Sequence, residues 1–312
     1  MTDPAPASSE RPEDRYRNGV ITAVIAYTMW GLFPIYFKEV GDVSSMEMLA
    51  HRIIWSVPFG ALIIIARSQW SEVRRAISHP RTLLFLVLAA IFIAVNWLVY
   101  IWAVQHEQIF QASLGYYINP LVYVLVGVVF FGERLRSKQV WAVILAAIGV
   151  AVLTVSGGQF PVISLTLAVS FTIYGVIRKQ VVVGGMPGLF IETLVLLPLA
   201  AFYMLSLFDS GQAAFSSDAP GQMVLLLLAG PLTVLPLLCF ALAARRLDLS
   251  MIGFLQFIGP TGQFIVGLAY GESLTTAHVI CFAFIWAAVF IFAFDAWKIS
   301  RAKAATVVGQ VS

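Results

Sequence analysis

The sequence predicts an all-α polytopic membrane protein with ten transmembrane helices arranged as two inverted repeats of five. Three observations carry this expectation. The 312-residue chain is 60% hydrophobic and only 11% charged, whereas a soluble domain carries about 25% charged residues. Too few charges remain to coat a globule, so lipid must solvate most of the surface. Second, a phrase recurs: Pro120, Gly127 and Gly132-Glu133 return as Pro260, Gly267 and Gly271-Glu272, offset by 140 residues at the prolines and 139 at the glutamates. Tyr27-Thr28-Met29-Trp30-Gly31 likewise returns as Phe171-Thr172-Ile173-Tyr174-Gly175, and Arg52 with Pro58 as Glu192 with Pro198. Third, the basic residues segregate to one side of the predicted spans.

Apolar runs long enough to cross a core of about 30 Å fall at residues 18–37, 46–66, 82–104, 109–131, 138–156, 161–177, 187–207, 222–244, 250–270 and 275–297. With the N-terminal side labelled inside, 17 of the 19 Lys and Arg lie in inside segments; Lys38 alone lies in an outside loop, and Arg52 lies within a span. A missed helix would scramble this alternation downstream, so the partition predicts ten spans with both termini cytoplasmic in a bacterial inner membrane. Residues 18–156 form the first repeat and 161–297 the second, joined by a linker containing Gly157-Gly158. An odd number of spans per repeat inverts the second half about an axis in the membrane plane. Residues 1–17, rich in proline and mixed charge, read as a disordered cytoplasmic tail and residues 298–312 as a second tail. The first apolar run is too long for the core of a signal peptide.

Cys239 and Cys281 sit in apolar stretches and read as small core residues. No metal or other cofactor is expected. There is no P-loop and no soluble domain for a nucleotide, so ATP drive is not expected; nor is nucleic acid a partner. An intramembrane lipid-modifying enzyme would need convergent nucleophiles, bases or metal ligands. The spans hold no HExxH, GxSxG or paired aspartates. A membrane sensor or scaffold is the other alternative, which inverted repeats with proline-bearing helices disfavour.

The segment Ala112-Ser113-Leu114-Gly115-Tyr116-Tyr117-Ile118-Asn119-Pro120-Leu121, closing on Gly132-Glu133-Arg134-Leu135, resembles the RarD family of EamA-type drug/metabolite transporters. So do His51-Arg52-Ile53-Ile54-Trp55-Ser56, Asn96-Trp97 with Tyr100-Ile101-Trp102-Ala103, and Tyr174-Gly175 with Arg178-Lys179. The resemblance runs from Gly19 to Trp297. It implies two five-helix EamA units and a permease for small organic solutes, exporting rather than importing them, as monomer or homodimer among membrane lipids.

Candidate site residues follow from their depth. Arg52 and Glu192 are charges inside spans, where they are costly and face protein or water. Inversion places them in opposite leaflets, roughly 13 Å apart in depth at 1.5 Å per residue, so no direct bridge between them is expected. Arg52 is a candidate for an anionic group of the solute. Glu192 is a candidate for a cationic group or a coupling proton, with exchange and facilitated diffusion equally open. Asn96 and Tyr100 share a helix face. Tyr116, Tyr117 and Asn119 beside Pro120 form a polar notch, because proline frees the carbonyl of Tyr116. Gln256 and Gln263 flank Pro260 in the counterpart span. Pro120 and Pro260 are candidate hinges in alternating access. Glu133 and Glu272 close their spans at opposite surfaces and are not expected to carry transport chemistry.

Overall fold

A computed structural model describes residues 12–131, 136–157, 160–215, 219–247, 251–252 and 255–309. Gly132, Glu133 and Gly158 lie outside the described residues. Those described form eleven helices and no strand: α1 (Pro12–Glu39), α2 (Ser45–Ala66), α3 (Trp70–Ser78), α4 (Pro80–Gln105), α5 (Ile109–Phe131), α6 (Ser137–Gly157), α7 (Val162–Lys179), α8 (Gly185–Asp209), α9 (Pro220–Ala244), α10 (Ile258–Ala269) and α11 (Thr276–Gly309). Eight are long and apolar enough to cross a membrane. The 23-residue α5 and the short apolar α10 fall where the fourth and ninth spans are expected. The chain is a multi-pass membrane protein.

Three elements differ from the sequence expectation. α1 begins at Pro12, inside the segment read as a tail, because Pro12 opens the helix and Glu13 and Asp14 favour its positive N-terminal end. α11 runs on to Gly309, past the expected end at 297. The charged segment after α2 folds into α3, which has alternate faces of Val73 and Ala76 against Glu72, Arg74 and Arg75. Its buried Val73 and Ala76 join Leu86, Val181, Met186 and Phe190 in one apolar cluster, so α3 packs against both α4 and α8.

Helix ends are specified locally. Ser44 caps α2, its hydroxyl accepting from the Glu47 N–H at 3.2 Å. α2, α4, α8 and α10 all stop at a residue of positive φ, Ser68, Glu107, Gly211 and Gly271. In each case the next N–H reaches back five residues to a helix carbonyl: Gln69 to Ile64, Gln108 to Ala103, Gln212 to Leu207 and Glu272 to Gly267.

Packing joins helices of the first part of the chain to helices of the second. α2 lies on α8 and α9, α4 on α7 and α8, α1 on α9 and α10, and α5 on α7 and α10; α6 and α11 form a pair beside these. α1 and α10 cross where Gly31 meets Gly262. A Cβ on Gly262 would stand 2.9 Å from the Gly31 Cα, so only glycine lets the backbones meet there.

Candidate functional site

Arg52 projects from α2 and is 4% exposed. Its Nε donates to Thr233 Oγ1 on α9 at 2.8 Å, and the Thr233 hydroxyl donates in turn to the Ala229 carbonyl. The Trp97 ring of α4 lies 4.3 Å from the guanidinium carbon, and the rings of Phe33 and Phe37 on α1 lie at 5.6 and 5.7 Å. Electron-rich ring faces offset part of the cost of holding a cation away from water. No ion pair among the described residues includes Arg52. Tyr36, Tyr100 and Tyr116 stand close enough to interact with it electrostatically.

Asn96 joins three helices. Its Nδ2 donates to the Leu167 carbonyl and Ser170 Oγ on α7, both at 3.0 Å, and its Oδ1 accepts from the Tyr116 hydroxyl of α5 at 3.0 Å. Asn119 Oδ1 accepts from Thr172 at 2.8 Å. The Thr261 hydroxyl donates to the Phe257 carbonyl, which leaves it accepting from Tyr117 at 2.6 Å. The amides and phenols of the first proline notch are thus engaged in joining helices. Tyr100 differs, since its buried hydroxyl has no hydrogen-bond partner among the described residues.

Glu192 on α8 is fully buried. Its partners are Arg178, with Nε 3.4 Å from Oε1, and Tyr174, whose hydroxyl donates to Oε2 at 3.3 Å. Arg178 Nη2 also donates to the carbonyls of Val183 and Gly184. Gly188 admits this arrangement, because a Cβ there would collide with the guanidinium. Arg52 and Glu192 are therefore held by separate partners. Arg178 was read as an inside charge and as part of a family-like segment but not as a site residue, although its i+4 spacing from Tyr174 places both on one helix face. Sequence reasoning also missed Thr233, whose short polar side chain gives no signal among apolar neighbours.

The second proline marks a break. Residues Gln256 and Phe257 form a turn ahead of α10, and the Gly259 N–H meets the Gln256 carbonyl at 3.3 Å, where Pro260 offers no donor. The Pro260 carbonyl accepts from Ser113 of α5 at 2.8 Å. Gln263 donates to the Trp30 carbonyl at 3.3 Å and keeps a buried, unpartnered Oε1, while Gln256 is half-buried. α5, by contrast, continues unbroken through Pro120.

Burial changes along the helix axes. In the first part of α7, Ser164, Leu167, Ala168, Ser170 and Thr172 are buried; residues 173–178 are all partly exposed. In α9, Leu226, Ala229, Gly230, Thr233 and Val234 are buried, and residues 237–242 are all partly exposed. Six consecutive residues cover the whole circumference of a helix with 3.6 residues per turn, so no face of either helix is fully covered at this more open end. Both stretches lie at the end of the bundle that bears the start of α1. Arg52, Trp97 and Tyr100 lie in the closed part.

A bundle of apolar helices around a buried cation walled by rings suits a membrane transporter, and the protein is one by its relatives. Residues 17–155 match the EamA-like transporter family. An uncharacterised transporter of Vibrio cholerae is 45% identical over 287 residues, 92% of this chain and 95% of its own. Protein RarD of Salmonella typhi is 44% identical over 288 residues, 92% of this chain and 98% of its own. The chain belongs to the RarD family of EamA-type permeases. A crystal structure of a protein 18% identical to it, covering 90% of this chain and 99% of its own, superposes with a TM-score of 0.59, which shows a common fold.

Proposed function

We propose that the protein is a secondary transporter that exports small organic solutes across the bacterial inner membrane by alternating access between two inverted five-helix repeats, residues 18–156 and 161–297. The helix contacts support the two-repeat reading. With α1, α2, α4, α5 and α6 matched to α7, α8, α9, α10 and α11, exchanging the halves maps the contacts onto themselves. α4 on α7 becomes α1 on α9, α5 on α7 becomes α1 on α10, and α2 on α9 becomes α4 on α8. The self-paired contacts α2–α8, α5–α10 and α6–α11 lie along the axis of exchange. The charge partition supports cytoplasmic termini, so the open end of the bundle faces the cytoplasm.

The observation that carries the function is the Arg52 site. A buried charge contributed by α2 of one half hydrogen-bonds to Thr233 on α9 of the other and lies against the rings of Trp97, Phe33 and Phe37. A solute entering from the cytoplasm reaches it before the halves rock. Pro260, with its turn at Gln256–Phe257, is the stronger hinge; Pro120 lies in its pseudo-symmetric counterpart. Glu192, tied to Arg178 at the open end, is placed to exchange its partner for a proton or cationic group.

Growth of deletion and overexpression strains across a drug and amino-acid panel identifies candidate solutes, and reconstituted proteoliposomes then measure flux. Counterflow that saturates and is lost in Arg52→Ala supports the reading. A purified, folded protein that moves none of the solutes to which the strains respond removes it.

A further inference from the structure

A guanidinium carries five N–H donors, and Arg52 spends one of them, on Thr233. Its two terminal nitrogens donate no hydrogen bond within the described residues. A buried cation without an anion is strongly disfavoured, and three ring faces offset only part of that cost. Of the phenols near it, Tyr36 donates to the Leu225 carbonyl and Tyr116 to Asn96. Tyr100, 3% exposed, keeps an unused hydroxyl proton. A planar cationic fork and a free phenolic donor therefore share one buried place that lacks an acceptor.

The charge count sets the size of the missing charge. Arg178 is already engaged by Glu192, and among the described residues no second cation adjoins Arg52. One cation matches one negative charge; a dianion would leave its second charge uncompensated. A carboxylate meets a guanidinium fork with two parallel hydrogen bonds. Leading away from this place is a ladder of rings. Phe37 meets Tyr100 at 5.8 Å, Tyr100 meets Tyr116 at 5.7 Å, Tyr116 meets Phe171 at 6.0 Å, and Phe171 meets Tyr174 at 5.9 Å. Tyr116, Phe171 and Tyr174 are only partly buried, so the ladder offers ring surface on the way to the open end.

We propose that the solute bound at Arg52 is an organic monocarboxylate with a planar, apolar body, its carboxylate accepting from the Arg52 terminal nitrogens and the Tyr100 hydroxyl and its body lying along the Tyr116–Phe171–Tyr174 ladder. This rests on the transporter reading for its biological meaning, though not for the binding itself.

The purified full-length protein is titrated calorimetrically with 2-naphthoate, with the neutral 2-naphthamide and with inorganic phosphate. Saturable 2-naphthoate binding is expected, with the amide and phosphate at least tenfold weaker. Tyr100→Phe, which removes one hydroxyl and leaves the ring, should weaken 2-naphthoate about tenfold with no loss of melting temperature, and Arg52→Gln should bring it to the level of the amide. If Arg52→Gln does not fold, Tyr100→Phe decides. Equal affinity for acid and amide, preference for phosphate, absence of saturable binding, or 2-naphthoate binding unchanged in Tyr100→Phe overturns the proposal. Binding without flux in proteoliposomes would sink the transporter reading and leave this one standing. Flux confined to neutral solutes and indifferent to Arg52→Gln would do the reverse.

Discussion

The Glu272 carboxylate closes the N-terminus of α5, with Oε2 accepting from the Ile109 N–H at 2.7 Å and both oxygens reaching the Phe110 N–H. Gly271, at φ +75°, turns the chain at the end of α10 so that the next side chain points back at α5. Anionic groups are favoured at a helix N-terminus. The Gly-Glu phrase thus has a mechanical meaning, in which one half of the chain caps a helix of the other.

Glu272 lies in the loop between α10 and α11, with Lys38 of α1 and Glu107 from the loop before α5 acting on its charge. Burial, opposed by the two backbone donors and Lys38 and aided by Glu107, raises its carboxyl from the ordinary 4.5 to about 7. Because the folded value lies above the unfolded one, the contribution is fully present below pH 4.5 and is lost as pH rises through about 7. The melting temperature of the wild type should therefore fall across this window. In Glu272→Gln, which still accepts from the helix end, that part of the slope should vanish; an identical slope in both proteins would show that Glu272 does not titrate there.

Asn96→Ala should cost about 2–3 kcal/mol, since it strands the buried Tyr116 hydroxyl and deprives the α7 groups of their donor. Tyr116→Phe removes one bond and leaves Asn96 anchored to α7, so it should cost about 1 kcal/mol. Denaturant unfolding in micelles measures both, and the order of the two variants is the test.

Gly262→Ala should destabilise by about 1–3 kcal/mol through overpacking, because the neighbour at 2.9 Å is the Gly31 backbone, which cannot rotate away. Gly221→Ala, with open space around its Cβ, is the control and should be neutral. The two melting curves separate crossing geometry from a general intolerance of substitution.

Arg178 and Glu192 form a pair with side-chain exposures of 15% and 1%. Removing Arg178 alone leaves a buried carboxylate, a change that costs about 3–5 kcal/mol in comparable pairs. Arg178→Met should therefore be more destabilising than the double variant with Glu192→Leu. A double variant as unstable as the sum of the singles would show that the two groups do not stabilise each other.

Several of these relationships were legible in part. The depth of Arg52 and Glu192, and their lack of a mutual bridge, followed from their positions within spans. The helices of the long spans followed from apolar run length alone, but the turn at Gln256–Phe257 inside the expected ninth span did not. Asn96 was read as a candidate site residue sharing a helix face with Tyr100, and its three hydrogen bonds, which tie α4 to α5 and α7, could not be read from that spacing. Glu272 was dismissed as a surface carboxylate, because nothing within its own segment reveals a helix end 163 residues away. α3 was missed because its charges dominate a short segment whose two buried residues matter only against α4 and α8.

Composition, repeat offset and run length by themselves determined that this chain is a bundle of membrane-spanning helices and which residues carry charge into it. Those properties depend on transfer between water and lipid, which each segment undergoes with little reference to the others. Tertiary structure alone decided the partners: Thr233, Trp97 and the Phe33–Phe37 pair for Arg52, Arg178 and Tyr174 for Glu192, and Ile109 with Phe110 for Glu272. Partner choice depends on how helices rotate and slide against one another. That register is set by small residues such as Gly31, Gly262 and Gly230 meeting backbones far away in the sequence.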